Sequence, residues 1–339
     1  CMRGVIMYGP GDVRVEDRPD PTIQQPTDAI VRLTATCVCG SDLWGYRGIN
    51  DPTDPQPMGH EYCGVVEAVG EDVRDISVGD FVVGGFYASC NACAHCRAGF
   101  PNGCVQHQWY DGCQAELLRV PLADGTLVAT PGQPDEALVP SLLTLSDVMA
   151  TGWHAAVMAG VRPGGTAVVV GDGAVGLCGV LAASQLGADR VIAMSRHASR
   201  QEVARRFGAT DIVEERGDEG VARIRELTAG VGADAVLECV GTGDAMNQAI
   251  ACARPGAMVG FVGVPHGVEL PIGRMFSRNV GVRGGMATVR TYLPDLMERV
   301  WSGRINPGLV FDLTLGLEDA AEGYRAMDER RAIKALLRP

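Results

Sequence analysis

Short apolar runs bounded by Gly, Pro and Asp occupy the part of the chain before Met149. Clear examples are Ala29–Thr34, Tyr62–Val69 and Asp80–Val83. Each run has the length of a β-strand, and turn-forming residues flank it. This pattern predicts an all-β or barrel-like domain.

A different pattern begins at Met149, where apolar strands alternate with helical patterns. Such alternation is typical of βαβ units and predicts a parallel, doubly wound sheet. A last segment, Tyr292–Pro339, is expected to form two helices and a strand at "IKALL". The predicted strands are Ala167–Val170, Val191–Met194, Ala235–Cys239 and Met258–Val262, and the predicted helices are Gly176–Gln185, Arg200–Phe207, Gly220–Thr228 and Ala245–Ala253.

Composition argues against several classes of protein. The longest apolar stretch, Thr166–Ala183, is broken by Gly171, Asp172, Gly173 and Gly176, and falls short of the about 20 unbroken apolar residues of a membrane helix. No basic segment precedes an apolar stretch at the N-terminus, so we expect no secretory signal and a cytoplasmic location. The net charge of −12 argues against a nucleic-acid partner, because such binding needs clustered Lys and Arg.

The stretch "AVVVGDGAVGLCGV" contains G-x-G-x-x-G at Gly171, Gly173 and Gly176, directly after a predicted strand and at the start of a helix. Glycine permits the tight turn, the close approach of backbone to pyrophosphate and the packing of helix on strand, and the helix N-terminus faces the anion. Inside a βαβ unit this motif indicates a dinucleotide site, which also includes Ala174 and Val175.

The end of the second predicted strand bears on the choice of dinucleotide. It reads Ser195-Arg196, where an NAD site usually has an acidic residue for the ribose hydroxyls. Asp189 lies before that strand and cannot take this role. A hydroxyl followed by Arg196, with Arg200 at the start of the next helix, suits a 2′-phosphate, so NADP(H) is favoured over NAD(H). The alternative is that these arginines form a solvated helix face.

Twelve cysteines in a chain expected in the reducing cytosol indicate metal binding or packing rather than disulfides. Four of them have the spacing C-x2-C-x2-C-x7-C, which suits a closed, tetrahedral structural zinc site. An iron–sulfur cluster and redox use of the C-x2-C pairs are the alternatives. The four are Cys90, Cys93, Cys96 and Cys104.

A second set of candidate metal ligands is dispersed along the chain. A thiolate, an imidazole and a carboxylate together form an open zinc shell of the catalytic kind. Spacing alone does not show that these residues meet. The candidates are Cys39, Ser41 and Asp42 in "CVCGSDLWGYRG", His60 and Glu61 in "PMGHEYCG", and Asp147 in "LSDVMATGWHA".

Over nearly its whole length the chain resembles the zinc-dependent medium-chain alcohol dehydrogenase superfamily. The residues that carry the resemblance are "GHE" at 59–61, the four-cysteine segment, "TGWHA" at 151–155, the G-x-G-x-x-G turn and "AIKALL" near the end. The resemblance implies a GroES-like catalytic domain at residues 1–148 with a zinc lobe at about 86–106, and a Rossmann domain at 149–288. Residues 289–339 would return to the catalytic domain.

The resemblance also assigns roles to single residues. Cys39, His60 and Asp147 would hold the catalytic zinc, with Glu61 as a fourth or exchanging ligand. Asp42 would bind the far nitrogen of His60. The remaining assignments are a proton transfer for Ser41, a contact with the nicotinamide for Thr151, and a contact with the cofactor phosphates for Lys334.

Two positions depart from the pattern of the family. Where many relatives have a histidine that carries protons to solvent, three residues after the relay hydroxyl, this chain has Trp44. The position after Cys39, sometimes basic, is Gly40, which leaves more of the phosphate contact to Lys334. A substrate pocket walled by aromatic side chains is expected, and its candidates are Trp44, Phe86, Trp109 and Tyr110.

The resulting hypothesis is an oxidoreductase that transfers a hydride between NADP(H) and an alcohol, ketone or aldehyde, with one catalytic and one structural Zn²⁺. An alternative is a zinc-independent C=C or quinone reductase of the same superfamily. A less favoured alternative is a zinc-bearing nucleic-acid-binding protein without enzyme activity. The edge strand expected at residues 279–285 favours a homodimer or homotetramer.

Overall fold

The chain folds as two units, the first made of Cys1–Asp147 together with Thr288–Pro339, and the second of Val148–Ala287. The computed structural model describes residues 1–50 and 54–339. None of the helices in these described ranges has the length and apolar composition needed to cross a membrane.

The first unit is built mainly of strands. Residues from the start of the chain form β1 to β10 and α1 to α4, and residues after Thr288 add α11, β17, α12 and β18. The strands are β1 Met2–Gly9, β2 Asp12–Arg18, β3 Ala29–Cys37, β4 Gln56–Pro57, β5 Tyr62–Val69, β6 Phe81–Gly84, β7 Tyr87–Ala88, β8 Gln108–Trp109, β9 Leu117–Val120, β10 Leu127–Ala129, β17 Phe311–Gly316 and β18 Lys334–Arg338. The helices are α1 Asp42–Tyr46, α2 Ala94–Arg97, α3 Ala123–Thr126, α4 Val139–Thr144, α11 Val289–Trp301 and α12 Ala320–Asp328.

A mixed sheet joins the two ends of the chain in this unit. Its strand order is β10-β6-β5-β3-β18-β17, with β9 also paired to β3. The last strand, β18, pairs antiparallel with β3, where Leu336 lies opposite Cys37. Almost every side chain of β3 is buried, as expected for a strand in the middle of a sheet. The C-terminal segment is therefore part of the core of the first unit.

The second unit alternates strands and helices. It begins with α5 Val148–Ala159, which packs against α6 and β15. The strands are β11 Thr166–Val170, β12 Arg190–Met194, β13 Asp211–Val213, β14 Ala233–Glu238, β15 Ala253–Phe261 and β16 Gly281–Gly284. The helices that follow α5 are α6 Ala174–Gln185, α7 Ala198–Arg206, α8 Gly217–Leu227, α9 Gly243–Cys252 and α10 Ile272–Arg278.

These strands form a parallel sheet in the order β13-β12-β11-β14-β15-β16. The order reverses between β11 and β14, and ligands of such sheets bind beyond the carboxyl ends of the strands at this point. Buried aliphatic side chains such as Val168, Ile192 and Val236 fill the core. The predicted doubly wound sheet is confirmed.

The prediction for the C-terminal segment was incomplete. The structure has two strands in Tyr292–Pro339, where one is predicted, because Phe311–Gly316 forms β17 and pairs parallel with β18. Exposed and half-buried side chains alternate along β17, since it lies at the end of the sheet. A strand without a continuous apolar run gives a weak signal in the sequence.

The backbone conformation and close packing of the dinucleotide turn explain why positions 171 and 176 are glycine. Gly171 has φ +110°, a conformation that other residues rarely adopt. A Cβ atom on Gly176 would lie 2.0 Å from the carbonyl oxygen of Gly171. The turn and the first turn of α6 can therefore pack together only without these side chains.

We expect Gly176→Ala to lower the free energy of unfolding by about 1–3 kcal/mol or more, because its methyl group overlaps the Gly171 carbonyl. Urea unfolding of the protein without dinucleotide measures this loss. Gly173→Ala is the matched control, since its Cβ would have no atom within 4 Å. Equal stability of the two variants would contradict the packing described for this turn.

Candidate functional site

Loops at the ends of three elements bring four metal-ligating side chains together in the first unit. Cys39 follows β3, His60 and Glu61 directly precede β5, and Asp147 follows α4. One ligand atom of each residue lies within 4.8 Å of the others. The four residues predicted as the dispersed metal set therefore converge on one point.

The separations between these atoms suit one small cation. Asp147 Oδ2 lies 3.3 Å from His60 Nε2 and 3.8 Å from Cys39 Sγ. Ligands at about 2.0–2.3 Å from a tetrahedral zinc lie roughly 3.3–3.7 Å apart. Glu61 Oε2 is buried and has no hydrogen-bond partner among the residues that the structure describes. A set of thiolate, imidazole and carboxylate donors with one such oxygen to spare fits Zn²⁺ better than Mg²⁺ or Ca²⁺.

A carboxylate fixes the orientation of His60. Asp42 Oδ1 lies 3.5 Å from His60 Nδ1, so Nε2 is the nitrogen that faces the metal ligands. Asp42 Oδ2 accepts hydrogen bonds from the Cys39 amide at 2.9 Å and from Gln114 Nε2 at 3.1 Å. Gln114 Oε1 accepts one from the Tyr324 hydroxyl at 3.0 Å. Sequence analysis identified Asp42 but missed Gln114 and Tyr324, because no local motif marks them.

The protonation of the metal-free site follows from its burial and charges. Burial lowers the pKa of His60, but Cys39, Asp147 and Asp42 together raise it well above its usual value. Burial, with a contribution from Glu61, raises the pKa of the Cys39 thiol. A metal ion needs the thiolate and the neutral imidazole, so its binding releases protons from this site.

A buried lysine neutralises Glu61. Lys334 Nζ donates to Glu61 Oε1 at 2.8 Å and to the Val38 carbonyl oxygen at 3.1 Å, and both charged side chains are 1% exposed. Burial disfavours the ammonium, but Cys37 and Glu61 together hold the pKa of Lys334 well above its usual value. The ammonium of Lys334 is thus enclosed beside Glu61, and its contact with the cofactor phosphates stays a prediction.

A serine anchors the segment that presents Asp147. Ser146 Oγ accepts a hydrogen bond from the Tyr62 amide at 3.0 Å and donates one to the Gly84 carbonyl oxygen at 2.5 Å. These bonds attach the segment after α4 to two neighbouring strands, β5 and β6. Asp147 is consequently held at the sheet edge from which His60 and Glu61 enter the site.

The four clustered cysteines also converge, in a lobe on the same unit. Their sulfur atoms lie within 4.8 Å of one another, with 3.6 Å between Cys93 and Cys96 and 3.5 Å between Cys90 and Cys104. Backbone amides point at the sulfurs, and those of Cys96 and Val105 lower the pKa of Cys93 to about 6. Four sulfur donors supply a complete tetrahedral shell, which leaves no position for a substrate.

The predicted aromatic wall is only partly assembled around the metal set. The Phe86 ring lies edge-on to His60, with 6.1 Å between ring centroids, and Trp44 lies in α1 close to Ser41 in sequence. Trp109 is 61% exposed and packs on His107, 4.8 Å away between ring centroids. Its ring contacts therefore belong to the cysteine lobe, and its place in the substrate pocket stays a prediction.

The hydroxyl of Tyr110, another candidate for the substrate pocket, bonds to two neighbouring residues. Its hydroxyl lies 2.6 Å from the hydroxyl of Tyr62 and donates to the carbonyl oxygen of Gly85. Burial raises the pKa of Tyr110, so its hydroxyl stays protonated. These contacts connect β5 to the segment after β6, and the place of Tyr110 in the substrate pocket stays a prediction.

Apart from Lys334, the residues expected at the dinucleotide site lie in the second unit. Gly171 and Gly173 form the turn after β11, and Ala174 and Val175 begin α6. Thr151, the expected neighbour of the nicotinamide, is buried in α5. The glycine motif thus occupies the strand–turn–helix context in which it binds a pyrophosphate.

An acidic residue in this turn contacts two of the residues expected to bind a 2′-phosphate. Ser195 Oγ donates to Asp172 Oδ2 at 2.8 Å, and Arg200 Nη1 donates to Asp172 Oδ1 at 3.2 Å. Arg196 is exposed, and its Nε donates to the Glu214 carbonyl oxygen at 3.0 Å. Sequence analysis did not identify Asp172 as a site residue, although it stands at the variable position of the first G-x-G.

Two family models match the chain: the alcohol dehydrogenase GroES-like domain over residues 25–131 and the zinc-binding dehydrogenase domain over residues 174–302. A probable zinc-binding alcohol dehydrogenase of Mycobacterium tuberculosis is 36% identical, over 100% of this chain and 89% of its own length. Zinc-type alcohol dehydrogenase B of Aspergillus flavus is 35% identical, over 99% and 81%. The chain belongs to the zinc-dependent medium-chain dehydrogenase/reductase superfamily.

The fold agrees with this assignment. An alcohol dehydrogenase from Thermus sp. ATN1 superposes with a TM-score of 0.91 at 34% identity, over 99% of both chains. The predicted family and the predicted combination of a GroES-like domain with a Rossmann domain are confirmed. The chain is therefore a zinc-type oxidoreductase of the alcohol dehydrogenase family.

We expect Cys39→Ser to lose turnover and Cys93→Ser to lose stability. Cys39→Ser removes a ligand of the open set and should abolish turnover while the thermal unfolding midpoint changes little. Cys93→Ser opens the closed set and should lower that midpoint, because a structural metal contributes folding free energy. Zinc content per chain, thermal unfolding and turnover are measured on both, with Cys63→Ser, a buried cysteine outside both sets, as control. Equal loss of activity with intact folding in both variants would contradict this division.

Lys334→Met should lower the free energy of unfolding by about 3–5 kcal/mol, because Glu61 is then buried without its cation. The double variant Glu61→Gln/Lys334→Met removes both charges and should recover most of this loss. Urea unfolding compares them with Arg331→Met, a control at a side chain that is 48% exposed. Unchanged stability of Lys334→Met would contradict this structural role, and a loss of dinucleotide affinity would support the predicted contact of Lys334 with the cofactor phosphates.

Proposed function

We propose that the chain transfers a hydride between NADP(H) and an alcohol, ketone or aldehyde, and that Cys39, His60 and Asp147 hold a catalytic zinc. The observation that supports this most is the convergence of a thiolate, an imidazole and two carboxylates within 4.8 Å. When bound, zinc supplies a Lewis acid for the substrate oxygen, and the dinucleotide supplies or accepts the hydride.

The charges around the metal set favour this chemistry. A thiolate at Cys39, a neutral His60 and a carboxylate at Asp147 bring two negative charges, which match the two positive charges of Zn²⁺. Glu61 is already neutralised by Lys334, so it adds no further net charge. Glu61 can therefore serve as a fourth ligand that a substrate oxygen replaces, as the resemblance to the family implies.

Ser41 is the proposed carrier of the substrate proton. It is half-buried and lies at the N-terminus of α1, between the ligand Cys39 and the His60 partner Asp42. Trp44 cannot take up a proton where relatives have a histidine. The route from Ser41 to solvent would then use water, or hydroxyl groups that a bound cofactor would supply.

The NADP(H) preference is supported by the residues at the end of β12. No acidic residue stands at position 195, and Ser195, Arg196 and Arg200 offer one hydroxyl and two guanidinium groups. These are groups that hydrogen-bond a 2′-phosphate.

Three further parts of the hypothesis stay predictions. The cysteine lobe is proposed to hold a structural zinc through Cys90, Cys93, Cys96 and Cys104. A homodimer or homotetramer is proposed because β16, at the edge of the parallel sheet, offers an unpaired side to a second copy. The cytoplasmic location is untested.

Turnover with a panel of primary and secondary alcohols, measured with NADP and NAD in parallel, tests the proposal. We expect reduction of NADP to be faster at equal concentrations, and a chelator that removes the catalytic zinc should lower turnover to background until Zn²⁺ is restored. Undiminished activity after zinc removal would contradict the proposal and favour the C=C or quinone reductase. Faster turnover with NAD would contradict the coenzyme preference alone.

A further inference from the structure

The carboxylate of Asp172 contacts two side chains that follow the core of β12, those of Ser195 and Arg200. Asp172 Oδ2 accepts from Ser195 Oγ at 2.8 Å, and Asp172 Oδ1 accepts from Arg200 Nη1 at 3.2 Å. Arg200 Nη1 also donates to the main-chain oxygen of Asp172 at 3.3 Å. The side chains of Arg200 and Asp172 are 14% and 12% exposed, and Ser195 is fully buried.

The dinucleotide motif does not predict an acidic residue at the position of Asp172, between Gly171 and Gly173. In an NAD site the acid that binds the ribose hydroxyls stands at the end of the second strand. Here that position is Ser195, but the acid in the glycine turn reaches the Ser195 hydroxyl itself. The place expected for the ribose 2′-position is therefore acidic, although the acid comes from the turn after β11 and not from the end of β12.

We propose that Asp172 determines how strongly the site discriminates between NADP(H) and NAD(H), by weakening the binding of the 2′-phosphate. This inference rests on the proposed function, because it assumes that the turn binds a nicotinamide dinucleotide. Asp172 has two effects, and both weaken the binding of NADP(H) relative to NAD(H).

The first effect is direct repulsion. A 2′-phosphate that binds Ser195 or Arg200 comes close to the carboxylate that these side chains already contact. The phosphate and the Asp172 carboxylate are both negative and repel each other. Because the side chains of Asp172 and Arg200 are weakly exposed, solvent screens this repulsion little. The uncharged 2′-hydroxyl of NAD(H) meets no such repulsion and can donate a hydrogen bond to the carboxylate.

The second effect is competition for Arg200. Its guanidinium is paired with Asp172, so the pair presents no net charge to an arriving phosphate. Arg196 is exposed, and solvent screens its charge more strongly. A 2′-phosphate gains the full attraction of Arg200 only if that guanidinium leaves Asp172.

The affinities of NADPH and NADH, measured by calorimetric titration, test this inference. Asp172→Asn keeps an acceptor oxygen for the Ser195 hydroxyl but removes the charge. We expect it to raise the ratio of NADPH to NADH affinity roughly tenfold or more, mainly through tighter binding of NADPH. Asp189→Asn is the matched control, because it makes the same charge change at an exposed residue before β12, and it should leave the ratio unchanged.

A double-mutant cycle separates the two effects. In an Arg200→Gln background, Asp172→Asn should raise the ratio less than it does alone, because no guanidinium is left to be released. Asp172→Ser, which also lacks the charge, serves as a second variant if Asp172→Asn does not fold. Far-UV circular dichroism and the thermal unfolding midpoint report folding for each variant.

The outcomes distinguish this inference from the proposed function. An unchanged ratio in folded Asp172→Asn and Asp172→Ser overturns the inference, as does an equal weakening of both ligands, which would show that Asp172 only supports the turn. If the wild-type protein prefers NADH but the variants shift toward NADPH, the proposed NADP(H) preference fails and the inference stands. Failure of both nicotinamide dinucleotides to bind the wild-type protein overturns both.

Discussion

The buried ion pair between Glu61 and Lys334 connects the metal site to the last strand of the chain. The two residues are 273 positions apart, and the same ammonium also binds the carbonyl oxygen of Val38, the residue before the ligand Cys39. Removing one partner of a pair so deeply buried leaves an uncompensated charge, which is strongly destabilising. The arrangement of the metal ligands therefore depends on the pairing of β18 with β3, and the C-terminal segment is a structural part of the site.

A second set of polar contacts extends this dependence to α12. Tyr324, a residue of that helix, donates to Gln114, and Gln114 donates to Asp42, the carboxylate that orients His60. All three supporting side chains are buried. Hydrogen bonds at such low exposure are costly to leave unmade, so each residue restricts the position of the next. The imidazole of His60 is thus held in place from α12, a helix of the C-terminal segment.

The sequence predicts best what is encoded locally. The parallel sheet and its glycine turn follow from apolar runs and a short motif, and the predicted strand Ala167–Val170 differs from β11 by one residue. The metal set could be assigned only through the resemblance to a family, because spacing does not show which distant residues meet. The partner of Lys334 and the contacts of Asp172 were missed for the same physical reason. They depend on side chains brought together by strand pairing, at separations of 273 and of 23 and 28 positions.

The two sites use paired charges in opposite ways. At the metal set a cation, Lys334, neutralises the carboxylate of Glu61, so the remaining donors can balance a divalent ion without excess negative charge. In the glycine turn a carboxylate, Asp172, neutralises the cation of Arg200. Because weakly exposed pairs are poorly screened, the net charge of such a pair decides its affinity for an ion more than the number of basic residues does. Counting arginines near the end of β12 therefore overstates the attraction for a 2′-phosphate, and the proposed preference for NADP(H) depends on how readily Arg200 exchanges Asp172 for the phosphate.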